Sequence, residues 1–164
     1  NKEILSIEKW TIEEINKRTD KLIEQIIQLY PYSTASDAVI VKHEISLDWD
    51  GVVANAILFE EDGSVEVQAG SEIVKYVSSS DVEDWQYEIY HQLLEDGIVK
   101  ETDKGAVFVK PYLFTAQKKN YTALSVSAGV ILCGNRNGWE YWQDGSGKSL
   151  NSNKDLKARL TNKR

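Results

Sequence analysis

The stretch Val52-Val-Ala-Asn-Ala-Ile-Leu-Phe59, continued by Glu60-Glu-Asp-Gly63-Ser64 and Val65-Glu-Val-Gln-Ala69, decides the fold. Its first eight residues are apolar and β-prone. Asp62-Gly63 is a hairpin turn signal, because glycine accepts the positive φ that tight turns between strands require. Val65, Val67 and Ala69 then alternate with Glu66 and Gln68, the period-two pattern of a strand with one wet face. Gly70-Ser71 breaks that pattern, and residues 73–77 start a third strand. Residues 52–77 therefore read as an antiparallel β-meander.

Downstream, Ser80-x-x-Glu83 is a capping box, in which each side chain satisfies a backbone N–H at a helix start. Val82, Trp85, Ile89 and Leu93 follow at helical spacing, and Gly97 suits the position after the helix end. Residues 98–109, with Thr102-Asp103-Lys104-Gly105 at the centre, form a second hairpin. Residues 124–133 read as a short buried helix ended by Gly134. Asn137-Gly138 opens a tight turn before a short strand over 139–142, and Asn153 caps a last helix over 154–160.

Upstream, Thr11-x-x-Glu14 and a wide apolar stripe (Ile12, Ile15, Leu22, Ile26, Leu29) predict a helix over 10–30, stopped by Pro31. Residues 38–45 are compatible with a strand or a short helix, and Asp48-Trp49-Asp50-Gly51 is a turn. The expected organisation is a helical segment over 1–31, a connector over 32–51 and a C-terminal domain over 52–164. The fold class is α+β, a small, mainly antiparallel sheet with three or four packed helices.

Counts exclude much chemistry. A single cysteine, Cys133, removes disulfide scaffolds and cysteine zinc sites, and the two histidines, His43 and His91, lie far apart. No catalytic residue, metal ligand or cofactor is assigned. Asp48 and Asp50 read as a solvated turn, and Gly147-Lys148-Ser149 lacks the first glycine of a phosphate loop because Trp142 stands there. No apolar run is long enough to cross a membrane, and the first residues have no signal-peptide pattern, so a cytoplasmic location is expected. The absence of methionine, even at position 1, suggests a piece of a longer protein.

The net charge of −7 is unevenly placed. Residues 117–164 carry nine Lys/Arg against three acids, a balance of +6, which leaves −13 for residues 1–116. The basic part contains the most distinctive segment, Gly134-Asn135-Arg136-Asn137-Gly138-Trp139-Glu140-Tyr141-Trp142. Aromatic rings can stack on bases, and Asn and Arg can read base edges. Large aromatics also fill cores, so Trp139 and Trp142 read either way.

Ala69-Gly70-Ser71, Leu93-Leu-Glu-Asp-Gly-Ile98, Phe108, Phe114, Ser125-x-Ser127-Ala128, Gly134-x-x-Asn137-Gly138-Trp139-x-x-Trp142 and Gly147-Lys-Ser-Leu150 occur in this order. Together, over about residues 52–150, they resemble domain of unknown function 4357. That family is similar to the restriction-enzyme adenine-methylase-associated domain. In the related motif the helix often reads Ser-Pro-Ser-x-Ala-Ala, whereas here it reads Ser125-Val126-Ser127-Ala128-Gly129. Trp10-Thr-Ile-Glu-Glu-Ile15, Lys17-Arg18, Leu22 and Tyr30-Pro31 resemble the closing helix of GmrSD-type HNH restriction endonucleases.

The resemblance implies a non-catalytic C-terminal accessory module of a defence protein that helps bind DNA, modified DNA included. The candidate contacts are Trp139, Trp142, Asn137, Arg136 and Ser127, with Lys118, Lys119 and Lys148 toward phosphates. The expected partners are DNA and the remainder of the parent protein. The alternative is a structural module for docking or dimerisation, which the −13 of residues 1–116 favours.

Overall fold

In the computed structural model the described residues are 40–76, 84–116 and 121–161, together with Lys17 and Thr19, which are helical and exposed. The chain divides into two compact units, Asn1–Val39 and Ile40–Arg164. Apart from Lys17 and Thr19, the helix expected over 10–30 lies outside the described residues, as do the Ser80/Glu83 box, Lys118 and Lys119.

The second unit runs β1 (Lys42–Trp49), β2 (Val52–Phe59), β3 (Val65–Val67), β4 (Glu72–Val74), α1 (Asp84–Glu95), β5 (Val99–Thr102), β6 (Gly105–Phe108) and β7 (Tyr112–Phe114). It continues with α2 (Ala123–Ile131), α3 (Gly138–Tyr141), a 3-10 turn (Leu150–Ser152) and α4 (Lys154–Thr161). All strand pairs are antiparallel. They form a four-stranded sheet in the order β1-β2-β3-β7 and a three-stranded sheet in the order β4-β6-β5. The fold is α+β, as the sequence predicts.

Three elements differ from the sequence reading. Residues 42–49, expected within a connector, are β1, paired along its whole length with β2. The turn between them places Asp50 and Gly51 at φ of 49° and 80°, the left-handed pair that a two-residue hairpin loop requires. Second, the meander ends at β3. β4 pairs with β6 in the other sheet, and β7 takes the place beside β3. The sheets part at Asn55, whose N–H donates to Ser71 Oγ at 3.0 Å and whose carbonyl accepts from Gln68 N–H at 2.9 Å. Third, residues 138–141 are a helical turn instead of a strand.

The register sets the core. Ile45 faces Ala56, Leu47 faces Ala54, and Val65 lies between Leu58 and Phe114, all buried. The opposite face of the same sheet exposes Glu44, Asp48, Val53, Asn55 and Leu113. α2 lies on the buried side, in contact with β3, β4 and β7. Eight of its nine residues are buried, Ser125 being the exception, as expected of a helix that is apolar all round. It stops before the predicted glycine, because Cys133 itself adopts the left-handed φ of 48°. α4 begins at Asn153, whose Oδ1 accepts from Leu156 N–H at 3.0 Å.

Candidate functional site

The Gly134–Trp142 segment, numbered 134–142, is built against the first turn of α2. That turn is capped by Thr122, whose Oγ1 accepts from Ser125 N–H at 3.1 Å. Ser125 Oγ in turn accepts from Gly138 N–H at 3.2 Å. Trp142 Nε1–H lies 3.2 Å from Leu124 O and 3.1 Å from Ser127 Oγ, so one indole donor serves two acceptors in the interior. Ser149 Oγ–H donates to Trp139 O at 2.9 Å. Four polar contacts and two tryptophans thus hold one helical turn.

The two glycines of the segment have separate reasons. A Cβ on Gly138 would stand 2.1 Å from the carbonyl carbon and oxygen of Leu124, well inside van der Waals contact. A Cβ on Gly134 would come within 3.2 Å of Arg136 Cζ, so its absence lets the guanidinium lie against the backbone. The Trp139-x-x-Trp142 spacing puts both rings on one side of a helical turn.

That side faces inward. Trp142 is 0% exposed and Trp139 is 9% exposed. Ser127 is 0% exposed, with its hydroxyl donating to Leu124 O at 3.2 Å and accepting from Trp142. Trp142 and Ser127, expected to touch a ligand, are interior residues. Their chemistry is spent on each other, because a buried indole N–H without an acceptor is costly. Trp139 is covered as well, with Lys157 Nζ of α4 5.6 Å from its ring centre.

The outward side carries the remaining chemistry. Arg136 is half-buried and its guanidinium lies 5.8 Å from the centre of the Tyr141 ring. Arg136 Nη1–H donates to Asn135 O at 3.3 Å, whereas its Nε–H is buried without a hydrogen-bond partner among the described residues. Asn137 is exposed and makes no side-chain capping bond to α3. Tyr141 meets Trp49 edge to face, with centroids 5.1 Å apart and planes at 66°. Trp49 is 52% exposed at the end of β1. A backbone bridge between Ser46 and Gln143 fixes β1 against the segment.

Trp49 was not singled out by sequence reasoning, and Tyr141 only as one of the aromatics of the 134–142 segment. Trp49 sits in a turn signal, and only the Ser46–Gln143 bridge brings it to Tyr141. Lys148 is exposed on a neighbouring turn, where Asp144 Oδ1 accepts from Ser146 N–H, Ser146 Oγ–H and Lys148 N–H. These bonds, Ser146 hydroxyl foremost, hold the Asp144 carboxyl below the usual aspartate range. The Gly147-Lys148-Ser149 run is this turn. Asp48, Asp50 and Glu140 border the Trp49–Tyr141 strip in sequence and are exposed.

One further polar cluster lies on the buried side of the sheet edge. Glu60 accepts from Arg159 Nε–H at 2.7 Å and Nη2–H at 3.2 Å, and its Oε2 lies 2.9 Å from His43 Nε2. Arg159, then His43, hold the Glu60 carboxyl down to about 2, against the opposing effect of its burial. This hub ties α4 to β1 and to the β2–β3 turn. Among the described residues no group of three or more His, Cys, Asp or Glu is placed to hold a metal ion. None of the described helices is long and apolar enough to cross a membrane.

The fold and the site define a small α+β domain in which a tryptophan-anchored turn presents an arginine–aromatic strip at the surface. The family model for a domain of unknown function, DUF4357, matches residues 45–154, well over half of the chain, and the chain belongs to that family. The match begins in β1 and ends where α4 starts. No curated protein and no solved structure matches the chain.

Proposed function

We propose that this domain is a non-catalytic accessory module that helps a defence-type parent protein bind DNA, modified DNA included. The defence setting comes from the resemblance of the domain to the restriction-enzyme adenine-methylase-associated domain and of residues 10–31 to a GmrSD-type closing helix. The observation that carries the reading is the outward side of the tryptophan-anchored turn, where Arg136 lies over Tyr141 and Tyr141 meets the half-exposed Trp49, with Asn137 exposed on the same segment. Trp49 supplies a ring for stacking, and Arg136 and Asn137 supply donors for base edges. Trp139, Trp142 and Ser127 act as the rigid support. Asp48, Asp50 and Glu140 oppose a phosphate at the strip itself, so phosphate contact falls to Lys148 and to Lys118 and Lys119.

The test is fluorescence anisotropy with labelled single-stranded, duplex and base-modified duplex oligonucleotides. Duplex binding is expected to weaken with salt at a log–log slope of about −0.9 per phosphate neutralised. Trp49→Ala is expected to weaken binding by about tenfold, the loss of one stacked base, while the melting midpoint falls by only a few degrees from the lost edge-to-face contact with Tyr141. Absence of binding to every oligonucleotide at low salt refutes the reading.

A second reading is a protein-docking module for the parent protein or a second copy. Val53 and Leu113, both exposed on the open face of the four-stranded sheet, favour it, as does the acidic balance of residues 1–116. Light scattering with size exclusion discriminates: dimerisation weakened by Val53→Lys supports this reading, and a monomer at all concentrations removes the dimer form of it.

A further inference from the structure

Alternate residues of β1 send their backbone groups to opposite sides. Val41 O accepts from Glu60 N–H at 3.0 Å, so the odd-numbered positions turn toward β2. Ser46 N–H donates to Gln143 O at 3.0 Å and Ser46 O accepts from Gln143 N–H at 2.7 Å, so the even-numbered positions turn outward. β1 is the edge of its sheet, and Gln143 occupies this edge at Ser46. The outward N–H and C=O groups of Lys42 and Glu44 have no hydrogen-bond partner among the described residues. Such a row is a template for a further strand. Ile40 and Val41, immediately before it, are both exposed.

Charge settles which strand fits. Lys42 and Glu44 are exposed on the open face of the sheet, where Lys42 Nζ lies 5.2 Å from the centre of the Phe59 ring. A second β1 laid antiparallel about a two-fold axis can centre on residue 42, 43 or 44 if outward groups are to meet outward groups. Centred on 42, it sets Lys42 against the partner's Lys42. Centred on 44, it sets Glu44 against the partner's Glu44 and needs Ser46, which Gln143 already holds. Centred on His43, it sets Lys42 against the partner's Glu44 and Glu44 against the partner's Lys42. Both pairs then exchange two N–H···O bonds and carry opposite charges side by side. His43 meets its own copy on the other side of the sheet, where each ring is held by Glu60 Oε2 of its own chain at 2.9 Å. We infer that the edge of β1 is a homodimerisation surface, on which a second copy of this chain pairs antiparallel about His43 and joins two four-stranded sheets edge to edge. It uses the edge of the sheet, not its open face, and rests on neither function proposed above.

Sedimentation equilibrium of the whole chain at low salt, from about 10 μM to about 1 mM, reads the association. So short a ladder gives a weak dimer, with an expected Kd of about 100 μM. Lys42→Glu and Glu44→Lys each turn two attractive pairs into two repulsive ones and should weaken association about tenfold. An equimolar mixture of the two variants brings opposite charges together again, and association should return to within about threefold of the parent chain. Hydrogen exchange should find the Lys42 and Glu44 amides unprotected in the monomer and protected as the concentration rises. Val53→Lys, on the open face, should leave the Kd unchanged. The substituted positions are exposed, and matching circular dichroism spectra establish that the fold is kept. A monomer up to about 1 mM, a dimer indifferent to both charge reversals, no recovery on mixing, or Lys42 and Glu44 amides that stay unprotected in the dimer would each overturn the inference. A dimer lost in Val53→Lys would overturn it too, and would point to the open face instead.

Discussion

Replacing Gly138 by alanine isolates the contact on which the surface strip depends. The added Cβ would lie 2.1 Å from Leu124 C and O and 2.5 Å from Ser125 N. Ordinary contact begins near 3.4 Å, so α3 and the first turn of α2 must separate by about 1 Å. These obstructing atoms are backbone at the start of a buried helix, and no rotamer change relieves them. Separation stretches two bonds that join the same segments, Gly138 N–H to Ser125 Oγ and Trp142 Nε1–H to Leu124 O, each 3.2 Å. Overpacking costs about 1–3 kcal/mol, and each buried donor left short costs about 1–3 more. A loss of about 4 kcal/mol follows, a large part of the 5–15 kcal/mol typical of a domain. Gly145→Ala is the control, because nothing lies within 4 Å of its added Cβ, and it should stay within about 0.5 kcal/mol of the parent chain. Urea unfolding followed by tryptophan emission measures both, with the midpoint read at unchanged slope. If Gly138→Ala unfolds at the midpoint of Gly145→Ala, α3 does not sit on Leu124 and the rigid platform is refuted.

Two further outcomes concern the interior. Trp142→Phe keeps much of the apolar bulk but removes the donor shared by Leu124 O and Ser127 Oγ, and should cost about 2–4 kcal/mol by the same denaturation assay. Acid unfolding reports the Glu60 hub. The folded carboxyl titrates near 2 against an ordinary 4.5, so the stabilisation it gives is fully present above about 4.5 and is lost as the pH falls toward 2. Glu60→Gln should flatten that part of the stability–pH curve, and a curve equally steep with and without Glu60 would show that other carboxyls govern acid unfolding.

Local pattern made several elements legible. The β2–β3 alternation, the Asp62-Gly63 turn, the 98–109 hairpin, the apolar run of α2 and the Asn153 cap each depend on neighbours a few residues away. β7, and the partner of β4, did not yield to the same reading. Glu72 pairs with Val107 and Val65 with Phe114, and nothing near residue 72 announces a partner so distant. Asn137-Gly138 reads as a tight turn before a short strand because that pair favours positive φ. Here the glycine serves a close approach to Leu124 instead, and no positive φ is involved. The spacing of Trp139 and Trp142, three apart, was the available sign of a helical turn with both rings on one face. It would also have taken the ligand-facing role from Trp139 and Trp142, leaving it with Arg136 and Asn137 and adding Tyr141. Trp49 was beyond reach, since its place beside Tyr141 follows from the tertiary bridge at Ser46.

The bond between Glu60 and Arg159 spans 99 residues of chain. During synthesis, β1, β2 and the turn after them can pair long before Arg159 leaves the ribosome. For that interval Glu60 has His43 but lacks the guanidinium that matters most to its charge. A chain cut before Arg159 would leave the early hairpin permanently in that state. The hub therefore makes α4 a late clamp on the first hairpin of the domain: the charge placed at Glu60 meets its strongest partner only once residue 159 has been made.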